Sequence, residues 1–168
     1  STAEGRTYGL EFLFQQKLFK GFYGILSYTL LWSEFEDKNG NFVPSAWDSR
    51  HILSMTAGKK LKKNWEFGAR WWFVTGAPFT PFDIERSTSP QVWDITRRGL
   101  PDYSQLNTQR VNNFNQLDVR LDKKWFFNKV NLNLYFDVQN LFGSSLAAQP
   151  NLDVDVDGNG DPILGENG

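Results

Sequence analysis

Six long amphipathic stretches, joined alternately by short and long connections, constrain this chain more than any other feature. They run over residues 4–18, 22–35, 50–61, 65–75, 114–126 and 129–141. The first, third and fifth connections are only a few residues long: Phe19-Lys20-Gly21, Lys62-Lys63-Asn64 and Phe127-Asn128. The second, fourth and last are long and polar. Strands of about 9–11 residues or more, with tight turns at one end and long loops at the other, are the pattern of an outer-membrane β-barrel. Soluble β-domains use strands of about 5–6 residues and lack this asymmetry.

Period-two alternation is clearest in the last two stretches. Leu117, Val119, Leu121 and Trp125 alternate with Asp118, Arg120, Asp122 and Lys124; Val130, Leu132, Leu134, Phe136 and Val138 alternate with Asn131, Asn133, Tyr135, Asp137 and Gln139. The fourth puts Trp65, Phe67, Ala69, Trp71 and Phe73 opposite Glu66, Gly68 and Arg70. In the first, Leu10, Phe12 and Phe14 oppose Glu11 and Gln15. In the second, Ser27, Thr29 and Ser33 share a face, and the third leaves its faces unassigned. Alternation alone does not say which face is inside. A lipocalin-like soluble barrel turns the apolar face inward, a membrane barrel turns it to lipid. Aromatics beside the short turns (Phe19, Phe22, Tyr23, Trp65, Trp125, Phe126 and Phe127) favour the membrane, because an interfacial girdle sits there.

Composition agrees. The 168 residues suffice for one domain, and a net charge of −1 gives no electrostatic case for nucleic acid. Absence of cysteine excludes disulfide scaffolds, thiolate metal sites and cysteine catalysis. No run of about 18 apolar residues exists, so helical spans are excluded. Seven Trp and fifteen Phe coexist with a negative mean hydropathy, as expected when only alternate residues face lipid. No basic-then-apolar leader is visible at Ser1, so the expectation is a mature chain or a piece of a longer one. The short turns carry Lys17, Lys20, Lys59, Lys60, Lys62, Lys63, Lys123, Lys124 and Lys129. Their simplest reading is solubilising charge at hairpin ends; in a membrane they would form a basic periplasmic rim.

Four segments in order carry a family resemblance: Trp47-Asp48-Ser49-Arg50-His51 opening a strand, Thr75-Gly76-Ala77-Pro78-Phe79-Thr80-Pro81 closing the next, the run from Asn115 to Trp125, and Tyr135-Phe136-Asp137-Val138-Gln139-Asn140-Leu141-Phe142. Each is degenerate alone, but the ordered set resembles the C-terminal part of the barrel of TonB-dependent outer-membrane receptors, in the style of Bacteroidetes-type bacteria. The resemblance implies a barrel of about 22 strands. It also implies import of a bulky nutrient (metal chelate, vitamin, glycan or peptide) across the outer membrane of a Gram-negative bacterium. The partners it implies are outer-membrane lipid, the plug and remaining barrel of a parent chain, and TonB through an N-terminal part; a surface lipoprotein fits the same family type. Neither a plug nor a closing strand ending in an aromatic is seen. Six strands cannot close a barrel, for which about eight are the minimum, so a segment of a larger barrel is expected.

The expected fold is therefore all-β: an antiparallel transmembrane β-barrel segment over residues 1–142 and an acidic, Gly-rich extracellular loop over residues 143–168. No enzymatic activity is expected. Two other classes stay open: a non-transporting barrel for adhesion or structure, and a soluble β-domain that binds a ligand inside its apolar face. Candidate lumen-facing residues are Glu11, Arg70, Asp118, Arg120, Asp122, Asn131, Asn133 and Asp137. Asp118, Arg120 and Asp122 on one strand and Asn131, Asn133 and Asp137 on its partner would form cross-strand ion pairs and hydrogen bonds, and their bland reading is a polar ladder that satisfies itself and the plug. The long connection 77–113 offers Trp93, Arg97, Arg98 and Tyr103 as ligand or lid contacts, or as packing between loops. Asp153, Asp155, Asp157 and Asp161, with Gly158, match the first part of a calcium loop. The twelfth position is Leu164 and Glu166 comes two residues late, so calcium competes with a plain solvated loop. His51, the sole histidine, follows Asp48, Ser49 and Arg50, but neighbours on an extended chain point to different faces and do not assemble a triad.

Overall fold

A computed structural model describes residues 4–96 and 98–152. The strands are β1 (Gly5–Phe19), β2 (Phe22–Glu36), β3 (Phe42–Pro44), β4 (His51–Lys60), β5 (Trp65–Val74), β6 (Pro78–Phe79), β7 (Gln109–Arg110), β8 (Phe114–Phe126) and β9 (Asn131–Val138). Short helices α1 (Ile84–Ser87) and α2 (Pro90–Thr96) lie between β6 and β7. One antiparallel sheet runs β1-β2-β4-β5-β8-β9, with β3 added to the loop end of β2; β6 and β7 form a separate pair. The sheet is open, and β1 and β9 are its two edges.

Turn chemistry explains the tight ends. Lys20 (φ 48°) and Gly21 (φ 84°) both adopt the left-handed conformation that a two-residue hairpin needs for strands of right-handed twist. A Cβ on Gly21 would lie 2.7 Å from the Lys60 carbonyl oxygen, so glycine also lets the neighbouring hairpin close in. Between β4 and β5, Lys63 and Asn64 take φ of 58° and 60°.

Register assigns every face, including that of β4, which alternation left open. Leu30 pairs with His51, Tyr28 with Leu53, Leu26 with Met55, and these continue into Phe73 and Trp71. One face therefore holds Leu10, Phe12 and Phe14, then Trp71, Phe67, Leu117, Leu121, Phe136, Leu134 and Leu132. The other holds Glu11, Ser27, Thr56, Arg70, Glu66, Asp118, Arg120 and Asp122. Two girdle assignments change. Tyr23 is opposite Gly58, and Phe126 opposite Asn131, which places both on the polar side. The polar face is also mixed: nearer the long connections it carries Ile52, Val74, Trp72 and Phe114, the last two in edge contact with ring centroids 5.2 Å apart.

The last strand is shorter than the expected 129–141. Val130 belongs to the turn, with its carbonyl accepting from Phe127 N–H at 2.9 Å. At the far end Asn140 turns left-handed (φ 52°), and its side chain exchanges hydrogen bonds of 2.8 and 2.9 Å with the Ser144 backbone. The connection 77–113 is not a bare loop, since it contains β6, α1, α2 and β7.

Among the described residues, the buried apolar side chains larger than alanine are Pro78, Phe79 and Trp93, all in that connection. No second layer covers the sheet among the described residues: Leu10 is 73% exposed and Phe136 70%. What order the connections have comes from Asp48, which is fully buried. Its carboxylate accepts from Ser33 N–H at 2.9 Å, from Arg50 Nη2 at 3.0 Å, and from Arg110 Nη2. Arg110 also donates to the Gly76 carbonyl at 3.0 Å. A Cβ on Gly76 would sit 1.8 Å from the Val111 carbonyl oxygen, so only glycine permits this approach. Asn107 (φ 54°) adds a third staple by donating to Pro44 O at 2.7 Å.

Burial pushes the Asp48 carboxyl up, but the Ser33 amide and the Arg50 and Arg110 guanidinium groups outweigh it and hold the pKa below 3.8. A depressed carboxyl contributes stability that is complete above the unfolded pKa and is lost as pH falls through the folded value. The protection factors of amides in segment 107–112, taken relative to the intrinsic exchange rate at each pH, should therefore be flat from neutral pH down to the ordinary carboxylate range and fall only below it. Asp48→Ala, which leaves two guanidinium groups facing a void, should destabilise the connection by about 3 kcal/mol while the sheet persists. Exchange in 107–112 that stays unchanged in the variant would show that Asp48 is not the staple.

Candidate functional site

Two glycines paired on adjacent strands leave room for a basin on the polar face. Gly58 and Gly68 put no side chain there between β4 and β5, and the flanking strands supply long polar residues. The resulting basin, of about 530 Å³, is lined by Tyr23, Thr56, Glu66, Arg70, Asp118, Arg120, Asp122, Lys124, Asn133, Asp137 and Gln139 among others.

The geometry is that of a self-satisfied network around an open centre. Arg120 meets Asp122 on its own strand in a bidentate pair, Nε to Oδ2 at 2.8 Å and Nη2 to Oδ1 at 2.9 Å. Its guanidinium lies 4.0 Å from the centroid of the Tyr135 ring. Asn133 donates to Asp122 across the strands at 3.3 Å. Asp118 accepts from Asn140 N–H and from Gln116 Nε2, both at 2.8 Å, and pairs in register with Arg70. Asp137 stands opposite Arg120 in register but accepts only a long 3.5 Å bond from Gln139. Of the expected cross-strand ion pairs and hydrogen bonds, the Asn133–Asp122 bond crosses from β9 to β8, while the bidentate ion pair runs along β8, because side chains two apart on one strand share a face.

Of the predicted residues, the basin gathers Arg70, Asp118, Arg120, Asp122, Asn133 and Asp137. Glu11 sits on edge strand β1 opposite Thr29, away from the basin, and Asn131 sits at the turn end opposite Phe126. Three residues were missed. Tyr23 crosses over Gly58 and donates its hydroxyl to Glu66 Oε1 at 2.6 Å, while Lys124 Nζ holds Glu66 Oε2 at 3.0 Å. A signal existed, since tyrosine beside small residues two strands over can reach an acid that phenylalanine could not.

The connection residues divide. Trp93 is buried at 8% exposure and packs, Arg98 is exposed, and Tyr103 is 68% exposed beside a groove shared with the 36–42 hairpin. Arg97 lies outside the described residues, as do Asp153, Asp155, Asp157 and Asp161 of the acidic loop. Among the described residues no cluster of acids or histidine could hold a metal ion. His51 Nδ1 is 2.8 Å from the Tyr28 hydroxyl on the apolar face, whereas Asp48 is engaged in the loop clamp.

No family model matches the chain, and no curated protein or solved structure is similar to it.

A Cβ at position 58 would meet Tyr23 Cζ and Oη at 2.4 Å, so Gly58→Ala must push the ring off Glu66. A double-mutant cycle of Tyr23→Phe with Glu66→Gln should return a coupling of about 1 kcal/mol, and the same cycle on a Gly58→Ala background should return close to none. Equal coupling in both backgrounds would mean that the tyrosine reaches Glu66 without the glycine.

Proposed function

We propose that this chain supplies consecutive transmembrane strands to the barrel of a TonB-dependent outer-membrane transporter in a Gram-negative bacterium, with the polar basin facing the lumen. The observation that carries the membrane part is the sheet itself: one layer, a continuous apolar face with nothing over it, and a charged face behind. A soluble β-domain buries its apolar face under a second layer. Here that surface is uncovered along with both edges, and lipid on one side and further strands on the other satisfy all three demands. The lengths fit. Strands of 15, 15 and 13 residues span about 43–50 Å at about 3.3 Å per residue and the two of 10 residues about 33 Å, enough for an apolar band of about 25 Å when tilted, while β9 with 8 residues, about 26 Å, is the shortest of the six.

The transport part rests on the ordered motifs. Their residues have a physical task in the fold: Asp48 and Arg50 of the first motif and Gly76 of the second build the clamp that docks the long connection. On this reading a plug and the remaining barrel belong to the parent polypeptide, TonB supplies the energy, and the cargo is a bulky nutrient such as a chelate, glycan or peptide. The protein carries out no covalent chemistry.

Charge placed on one face or the other separates lipid from water. In the natural full-length polypeptide folded into vesicles, Val119→Arg on the apolar face should cost about 2–4 kcal/mol, while Gln116→Arg on the same strand should be nearly neutral. Equal tolerance of both would overturn the lipid-facing assignment. Cells lacking the gene should lose uptake of one bulky nutrient, and cells lacking TonB should lose the same uptake. An intact uptake panel with lost surface adhesion would instead favour the non-transporting barrel.

A further inference from the structure

The basic rim of the short turns has a feature that solubilising charge does not require. Its lysines stand over aromatic rings on the apolar side of the sheet. Lys59 Nζ lies 4.0 Å from the centroid of the Phe22 ring, its partner in register. Lys123 Nζ lies 5.1 Å from the ring of Trp65, also its register partner, and 5.5 Å from that of Trp125. Lys20 Nζ is 5.4 Å from the Phe19 ring. Lys62 and Lys63 are exposed in the adjoining turn, and the Lys63 carbonyl accepts from Lys123 Nζ.

Charge at this end is unbalanced. The chain around the three turns contains two carboxylates, Glu66 and Asp122. Both face the polar basin, where Lys124 and Arg120 occupy them. Among the described residues no carboxylate pairs with Lys20, Lys59, Lys62, Lys63 or Lys123. Aromatic rings take the boundary between acyl chains and head groups, and an ammonium above such a ring stands at the level of lipid phosphate.

We propose that this rim is a binding surface for anionic phospholipid, with the lipid phosphodiester seated among Lys20, Lys59, Lys62, Lys63 and Lys123 and its acyl chains against Phe22, Trp65 and Trp125. The proposal rests on the membrane reading above and adds a preference to it: the leaflet contacted by the short turns is read by charge. Each lysine near an anionic surface contributes about 1 kcal/mol, so several together should favour an anionic over a zwitterionic lipid by about tenfold or more.

Tryptophan quenching by brominated lipids tests this in the natural full-length polypeptide. Insertion into phosphatidylcholine bilayers is measured first, by protease resistance of the strands. Brominated phosphatidylglycerol and brominated phosphatidylcholine are then compared at equal mole fraction. The expected result is a preference of about tenfold for phosphatidylglycerol that weakens with added salt. The quadruple variant Lys20→Gln, Lys59→Gln, Lys62→Gln, Lys63→Gln should lose it, and Lys38→Gln at the opposite end should keep it. Normal insertion with no preference, or with a preference retained by the quadruple variant, overturns the rim and leaves the membrane reading intact. Failure to insert into phosphatidylcholine overturns both. Displacement of phosphatidylglycerol by millimolar inorganic phosphate would identify a soluble-anion site and sink the lipid proposal.

Discussion

Alternation carried in register across six antiparallel strands gathers most of the large apolar side chains of this sheet on one surface and most of the charged ones on the other, with Lys59 and Lys123 standing on the apolar surface at the turn end and Ile52, Val74, Trp72 and Phe114 on the polar one. Among the described residues neither surface is covered by a second layer, and they enclose almost no apolar interior. A sheet of that kind is defined by what covers it, because exposed apolar area in water is costly and unpaired strand edges recruit partners. Strand length, turn position and charge placement all take their sense from that requirement. The strands are long enough to cross an apolar layer, the tight turns gather at one end, and lysines stand where such a layer would meet phosphate.

The two ends of the sheet obey different physics. At the short-turn end, left-handed residues such as Lys20, Gly21, Lys63 and Asn64 reverse the chain within a few positions and leave little backbone to stabilise. At the other end the chain wanders, and a buried carboxylate organises it. Asp48 draws in an amide of β2 and two arginines, one of them far along the chain, and thereby docks a long connection whose buried apolar anchors among the described residues are Pro78, Phe79 and Trp93. A clamp of charge-assisted hydrogen bonds is suited to an aqueous, loop-rich end where apolar burial is scarce.

The polar face shows how the same alternation supports a site. The glycines at 58 and 68 make the basin, and long side chains around it satisfy one another without filling it. Tyr23 belongs here and not to an aromatic girdle, because its ring uses the space that Gly58 leaves. Arg120 and Asp122 neutralise each other along one strand, which leaves Arg70 and Asp137 as the ionised groups with the least direct engagement.

The strand positions, the tight turns and the polar candidates were legible in the sequence because period two and turn residues are local signals. The face of β4 was not, since its small and mixed residues carry no alternation of their own and take their side from the register of β2 and β5. Nor was the role of Asp48: its place three residues before His51 argued only against a triad, and the approach of Arg110 from a distant segment shows it to be a staple. The early end of β9 likewise depends on Asn140 closing a local turn onto Ser144. By itself the sequence determined an all-β chain with one apolar and one polar face, because side-chain direction in a strand follows from position alone. The tertiary structure decided which residues share the basin, which hold the clamp, and that the sheet stays open, because those depend on register and on contacts between segments far apart in the chain.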